Sequence, residues 1–194
     1  MTTREEIRDV ESKVNALHRR IHETFATREK SKAHWERWEA ACHDYHAYKN
    51  PSEQLGQPSI LRDIRTGLGR WRDDALVFLE VDPWFFRSGS LKEKIVRALK
   101  QANLTMSEIE RVNGILVTVV DSRKRREFRE FCRLAVKVAT PTLVAQLSQR
   151  ETAPDVGPLS SRHNAVIHTK ASRCCLTACF SGPRLAMLAP AAER

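Results

Sequence analysis

The segment LVFLEVDPWFFRSGSL, residues 76–91, joins the end of one apolar helical pattern to the start of another. Pro83 has no backbone N–H and restricts the residue before it, so the first helix is predicted to end near Val81. The three large aromatic residues that follow each bury roughly 150–250 Å² when they pack. We therefore expect all three to be structural core: Trp84, Phe85 and Phe86.

Three Ser/Thr-x-x-Glu patterns predict where helices begin. In such a capping box, the hydroxyl group and the carboxylate each accept a backbone N–H that has no partner within the helix. The patterns begin at Thr3, Ser90 and Thr105. A helix is expected to start at each of these positions.

Downstream of residue 59, apolar residues recur every three or four positions, which is typical of helices with one buried face. Gly67 and Gly69 interrupt the first of these segments and predict close helix packing or a break. The run ILVTVV at 115–120 has the β-branched composition of a strand. Because the helical spacing enters this run without interruption, we interpret it as a buried helix.

A further helix is predicted after residue 122, with Phe128 and Phe131 as structural core on its apolar side. Pro141 is expected to end or kink it before a last short helix. Short one-sided helices joined by tight turns favour a compact antiparallel multi-helix domain, either HEAT-like or a bundle, although the sequence has no repeat of fixed period. The predicted fold class is all-α.

Residues 3–49 place their apolar and aromatic side chains in one heptad phase. Polar residues interrupt that phase at Thr24, Arg28 and Ser31. Two arrangements fit: one long amphipathic helix with a weak middle, or two helices that meet there. The lack of Pro and Gly before residue 51 favours the single helix. Its seam is predicted to face a protein partner or a second copy of the chain, through Ile7, Val10, Val14, Leu17, Ile21, Trp35 and Trp38.

These patterns divide the chain into a coiled-coil-like helix at 1–49, a linker at 50–58, a helical domain at 59–149 and a tail with little structure of its own at 150–194. The tail mixes Pro, Ser, Ala and Cys and has no acidic residue between Asp155 and Glu193. A change of reading frame near its start would also produce this composition.

The chain carries 33 Lys and Arg against 24 Asp and Glu, and its net charge of +9 favours acidic partners. Between residues 87 and 137 the corresponding counts are 13 and 6. These cations could neutralise phosphates, or they could form ordinary ion pairs on a solvated helix surface with Glu127 and Glu130. The candidate anion-binding or nucleic-acid-binding residues are Arg123, Lys124, Arg125, Arg126, Arg129 and Arg133.

No catalytic motif is present, so enzymatic activity is disfavoured, and no cofactor is predicted. Histidine and cysteine residues cluster at 18–22, 42–46 and 163–179, but none of these sets has the spacing of a structural zinc site, so no metal is predicted. We expect no signal peptide and no membrane partner, and hence a cytoplasmic protein with reduced cysteines.

The sequence therefore predicts a non-enzymatic helical scaffold or protein-interaction module whose partner binds the N-terminal helix. The alternative is a nucleic-acid-binding accessory protein that uses a basic helix face. Salt dependence of binding would separate the two, because phosphate contacts weaken steeply as salt rises.

Overall fold

The computed structural model describes residues 3–121 and 127–152. Regular structure in these two ranges is entirely helical, with no strand, so the predicted all-α fold class is confirmed. The helices are α1 (Arg4–Phe25), α2 (Lys32–Ala47), a 3-10 helix (Pro51–Gly56), α3 (Pro58–Thr66), α4 (Trp71–Val81), α5 (Ser88–Gln101), α6 (Met106–Asp121), α7 (Phe128–Val138) and α8 (Pro141–Thr152).

Several helix ends follow local sequence signals. The capping boxes predicted at Thr3 and Thr105 are both present, at the starts of α1 and α6. Helix α4 ends at Val81, directly before the Asp-Pro pair, as predicted. The box predicted at Ser90 is wrong, because α5 begins two residues earlier, at Ser88.

Helices α3 to α8 lie in two rows. Helix α5 packs between α3 and α7 in one row, and α6 packs between α4 and α8 in the other. Contacts of α3 with α4 and of α6 with α7 join the rows. Of the predicted core residues on α7, Phe131 is buried, and Phe128 is half-buried against the core. The centre of α5 is fully buried, at Ile95, Val96 and Leu99.

Arg72 joins the end of α3 to the start of α6. Its buried guanidinium donates to the carbonyl oxygens of Ile64 and Arg65 at 2.9 Å each and pairs with Glu108 at 3.3 Å. Gly67 ends α3 with a left-handed φ of 79°, and a Cβ there would lie 2.9 Å from that guanidinium. The glycines therefore mark a helix break, which was one of the two predicted alternatives.

The predicted single helix over residues 3–49 is wrong, because a turn at 26–31 separates α1 from α2. The Thr24 hydroxyl donates to the carbonyl one turn earlier at 2.8 Å, and the Ser31 hydroxyl accepts the N–H of His34 at 3.3 Å. These polar side chains interrupt the heptad phase and stabilise helix ends, which favours a helical hairpin.

Helix α1 packs on α4, and α2 packs on α1. Ile7, Val10 and Val14 are buried in the same apolar cluster as the core of residues 59–149. Leu55, within the stretch predicted as a linker, is also buried in this cluster. Residues on both sides of that stretch therefore share one apolar cluster.

Candidate interaction surface

Residues 82–87 connect α4 to α5 and are called the aromatic corner below. Asp82 and Arg87, at its two ends, have φ values of 54° and 69°. A non-glycine residue in this left-handed region costs about 1–2 kcal/mol. Such strain persists only where surrounding contacts hold the backbone, and it concentrates at functional sites.

Two side chains of helix α1 form hydrogen bonds with the backbone in the middle of the aromatic corner. The Trp84 N–H donates to Glu11 Oε1 at 2.7 Å, and Asn15 Nδ2 donates to the Trp84 carbonyl oxygen at 2.8 Å. Glu11 and Asn15 are one turn apart on the same face of α1. The backbone of Trp84 is therefore fixed on both sides, independently of its ring.

A buried ion pair holds the start of the aromatic corner. Lys92 of α5 is fully buried, and its Nζ lies 2.6 Å from Asp82 Oδ1. Buried charges in proteins are stable where they are paired. Pro83, next to this pair, is also buried. The left-handed conformation of Asp82 is thus fixed against α5.

The three consecutive aromatic rings lie in different environments. Phe85 is 6% exposed and meets the ring of Phe78 edge to face at 6.4 Å. Trp84 is 63% exposed and Phe86 is 48% exposed, so the prediction that they are structural core is wrong. Consecutive side chains of a short connection point in different directions, and only the middle ring reaches the core.

The Phe86 ring packs on α1 and α2. It stacks on His18 with a centroid distance of 5.2 Å and an interplanar angle of 20°, and Tyr45 meets its edge at 6.3 Å. His22 in turn contacts the edge of His18 at 4.6 Å. The aromatic corner, α1 and α2 therefore share one aromatic surface.

Arg87 adds a positive charge to this surface. Its guanidinium carbon lies 5.3 Å from the centroid of the Phe86 ring. Burial raises the pKa of the Tyr45 hydroxyl above its usual 10.0, while the nearby Arg87 charge opposes this rise and Glu53 adds to it. Within the described part of the chain, no carboxylate pairs with Arg87.

The predicted N-terminal seam is divided between core and surface. Ile7, Val10 and Val14 are buried within this chain, so the prediction that they face a partner is wrong. Intramolecular packing against α4 occupies the face that the heptad phase offered. Leu17 and Ile21 are half-buried.

The end of the α1–α2 hairpin carries a second aromatic cluster, called the hairpin tip below: Phe25, Arg28, Trp35 and Trp38. Phe25 is 48% exposed and Trp35 is 46% exposed. Trp35 meets Trp38 at 5.0 Å, and the Arg28 guanidinium lies 3.6 Å over the Phe25 ring. All of these contacts join residues of α1, α2 and the turn between them.

The predicted anion-binding set lies partly outside the described residues, at Arg123, Lys124, Arg125 and Arg126. Arg129 is exposed on α7, and Arg133 pairs with Glu130. The Glu130 carboxylate also lies 3.5 Å from Arg97 Nε and 3.5 Å from Lys100 Nζ. Burial opposes the ionisation of Glu130, but the Arg133, Lys100 and Arg97 charges outweigh it and lower its pKa. Arg133 therefore forms an ordinary ion pair within its helix, which was the predicted alternative to anion binding.

Residues 3–121 and 127–152 contain no group of three or more His, Cys, Asp or Glu side chains arranged to hold a metal ion. In the same two ranges, no helix combines the length and the apolar character that a bilayer crossing needs. Comparisons with protein-family models, curated proteins and solved structures give no match.

Sequence reasoning missed the residues that hold and extend the aromatic corner: Glu11, Asn15, His18, Arg87 and Lys92. Glu11 and Asn15 have the pattern of ordinary polar positions on an amphipathic helix, and they are 73 and 69 residues from Trp84 along the chain. The Asp-Pro pair was the one local signal, because Asp tolerates left-handed backbone better than most residues. It predicts the end of α4 but not what holds the connection.

Proposed function

We propose that this chain is a protein-interaction module and that the aromatic corner is its partner-binding surface. The observation that supports this most is Trp84, whose ring is exposed although both polar groups of its backbone are bound by α1. A backbone that is already fixed does not have to be ordered when a partner binds, so binding costs less conformational entropy. Tryptophan, tyrosine and arginine also dominate binding hot spots. The corner carries Trp84 and Arg87, and Tyr45 of α2 meets the edge of its Phe86 ring.

The aromatic corner is a surface that a partner can reach, whereas part of the predicted seam is buried. A partner on Ile7, Val10 or Val14 would have to displace the chain's own core, whereas a partner on Trp84 covers an exposed ring. Burying a tryptophan ring at the centre of an interface typically contributes 2 kcal/mol or more, about a thirtyfold change in affinity.

The test compares the full-length chain with its Trp84→Ala variant. Each protein is immobilised, exposed to a lysate of the source cells, and its bound proteins are quantified by mass spectrometry. Light scattering on the same samples detects a second copy as the partner. We expect either captured proteins or a dimer with the wild type, and loss of that partner by about tenfold or more with the variant.

Leu68→Ala is the matched control, because Leu68 is an exposed apolar residue in another connection between helices. Its variant is expected to keep the partner. Circular dichroism should show that both variants are folded. A monomer that captures the same proteins with and without the Trp84 ring would exclude the aromatic corner as the binding surface.

A second candidate function is supported by the cations around Glu130. Arg97, Lys100 and Arg133 converge on the buried Glu130 carboxylate. Arg97 also pairs with Glu93, so three cations face two carboxylates there, and Arg129 is exposed on the same helix as Arg133. We propose this face of α5 and α7 as the alternative, nucleic-acid-binding surface. Filter binding of DNA and RNA should then fall steeply between about 50 and 200 mM salt. Lack of retention at the lower salt concentration would exclude it.

A further inference from the structure

Eight arginines in the described part of the chain pair with carboxylates, and Arg87 is not one of them. The paired arginines are Arg4, Arg20, Arg28, Arg70, Arg72, Arg97, Arg111 and Arg133. Arg87 instead lies over the Phe86 ring, on a left-handed backbone at the end of the aromatic corner. A guanidinium against an aromatic ring keeps its planar fork of donors available to a carboxylate.

We propose that the aromatic corner binds an acidic protein segment, with an apolar side chain of that segment on Trp84 and a carboxylate on Arg87. This inference rests on the proposed function, because it names the partner class for the same surface. The bidentate geometry of an arginine–carboxylate pair supplies direction as well as attraction. The Trp84 ring supplies the apolar contact.

A second cation on α1 and the net charge of the whole chain favour such a partner. Arg19 is exposed and follows Asn15 by four residues, so it lies one turn further along the face of α1 that holds Trp84. The carboxylate of Glu11 on this face already accepts the Trp84 N–H. The net charge of +9 for the whole chain adds long-range attraction for an acidic segment.

An acidic protein segment fits the corner better than nucleic acid does. A phosphate backbone binds best along a continuous cationic track, but Glu11 contacts the corner and Glu53 raises the pKa of the neighbouring Tyr45. The cations around Glu130 do not extend the track, because Arg97 is ten residues along α5 from Arg87, about 15 Å on a helix. A single carboxylate needs one cation rather than a track, and Arg87 supplies it.

The experiment selects peptides from a random display library on the immobilised full-length chain. Peptides that bind the wild type but not the Trp84→Ala variant are sequenced. The selection is repeated with Arg87→Gln, which removes the charge and keeps polarity, and with Arg62→Gln, which removes an exposed arginine on α3. A labelled oligothymidine is the nucleic-acid probe.

We expect the Trp84-dependent peptides to be rich in Asp and Glu next to an apolar residue. Replacing their acidic residues with Asn and Gln should weaken binding about tenfold on the wild type and on Arg62→Gln, but hardly at all on Arg87→Gln. Trp84-dependent peptides without acidic enrichment would overturn this inference and leave the proposed function standing. A selection that yields no Trp84-dependent peptide would overturn both, and displacement of acidic peptides by oligothymidine would assign the corner to nucleic acid.

Discussion

The aromatic corner and the hairpin tip both expose large aromatic rings, but they differ in what holds those rings. At the corner, the Trp84 backbone is bound by Glu11 and Asn15, and a buried ion pair fixes Asp82. These contacts span α1, the corner and α5. At the tip, Trp35 and Trp38 contact each other within α2, and Trp38 meets Phe25 at the end of α1. These contacts stay within the α1–α2 hairpin. Both regions therefore expose aromatic rings, but among the described residues only at the corner do residues distant in sequence hold the backbone that carries them.

This difference separates two explanations for an exposed aromatic residue. A ring held only by contacts within its own hairpin is typical of the end of that hairpin. A ring carried by a strained backbone, which distant residues keep in place, has a cost that the fold must offset. Asp82 and Arg87 carry that strain at the corner. The corner is therefore the better candidate for a selected binding surface.

The largest effect that tests this comparison is expected within the corner itself. Phe85→Ala should lower the free energy of unfolding by about 3–4 kcal/mol, because it removes a buried ring that packs on Phe78. Phe86→Ala should lower it by less than about 1 kcal/mol, since that ring is half exposed. Urea denaturation of both variants measures the difference.

Equal losses from these neighbouring phenylalanines would contradict the assignment of one ring to the core and the other to the surface. The ordering also shows what sequence alone can predict. The aromatic triplet predicts three buried rings, and only that of Phe85 is buried. The sequence does not show which ring reaches the core, because that depends on the direction of the backbone after Asp82.

The helices themselves were predictable because their signals are local. Capping boxes at Thr3 and Thr105 and the Asp-Pro pair each act within a few residues, and they predict ends of α1, α4 and α6. The direction of each apolar face is not local. The seam from Ile7 to Val14 fits a coiled coil and an intramolecular core equally well, since both bury apolar residues at the same spacing.

The exposed half of the corner was unpredictable for the same reason. A tryptophan followed by two phenylalanines favours burial when each residue is considered alone. The contacts that leave Trp84 exposed come from α1, roughly 70 residues earlier in the chain. No pattern in the sequence links these positions, so the candidate site emerged only from the fold.

Removing the buried cation should have the next largest effect. Lys92→Met replaces the lysine with an uncharged side chain of similar length and removes the ammonium partner of Asp82. We expect the free energy of unfolding to fall by about 2–3 kcal/mol. This is less than for a fully buried pair, because Asp82 is partly exposed. Lys94→Met, at an exposed position on α5, should change the free energy of unfolding by less than about 0.5 kcal/mol.

Denaturation curves and peptide binding to both variants check this prediction. Because the ion pair fixes Asp82, Lys92→Met should also weaken binding to Trp84-dependent peptides although it touches none of the exposed rings. Unchanged stability with unchanged binding would show that the pair does not support the corner.

A smaller effect is expected from the carboxylate that holds the Trp84 N–H. Glu11→Ala should lower the free energy of unfolding by about 1 kcal/mol, since a partly exposed charge-assisted hydrogen bond is lost. Hydrogen exchange at the Trp84 amide should accelerate about fivefold, since about 1 kcal/mol corresponds to roughly a factor of five. Glu23→Ala, on an exposed part of α1, is the control and should leave that amide unchanged.

The smallest effect is expected at the hairpin tip, where it sharpens the contrast with the corner. Trp35→Ala removes a ring that packs on Trp38 but is about half exposed, so the unfolding free energy should fall by less than about 1 kcal/mol. Partner capture and peptide binding should match the wild type, in contrast to Trp84→Ala. The opposite result would be that Trp35→Ala loses partner binding while Trp84→Ala retains it. Long-range support of the backbone would then not distinguish a ring that binds a partner from a ring that does not. The binding surface would then lie on the hairpin tip, where the sequence pattern of residues 3–49 first indicated a partner.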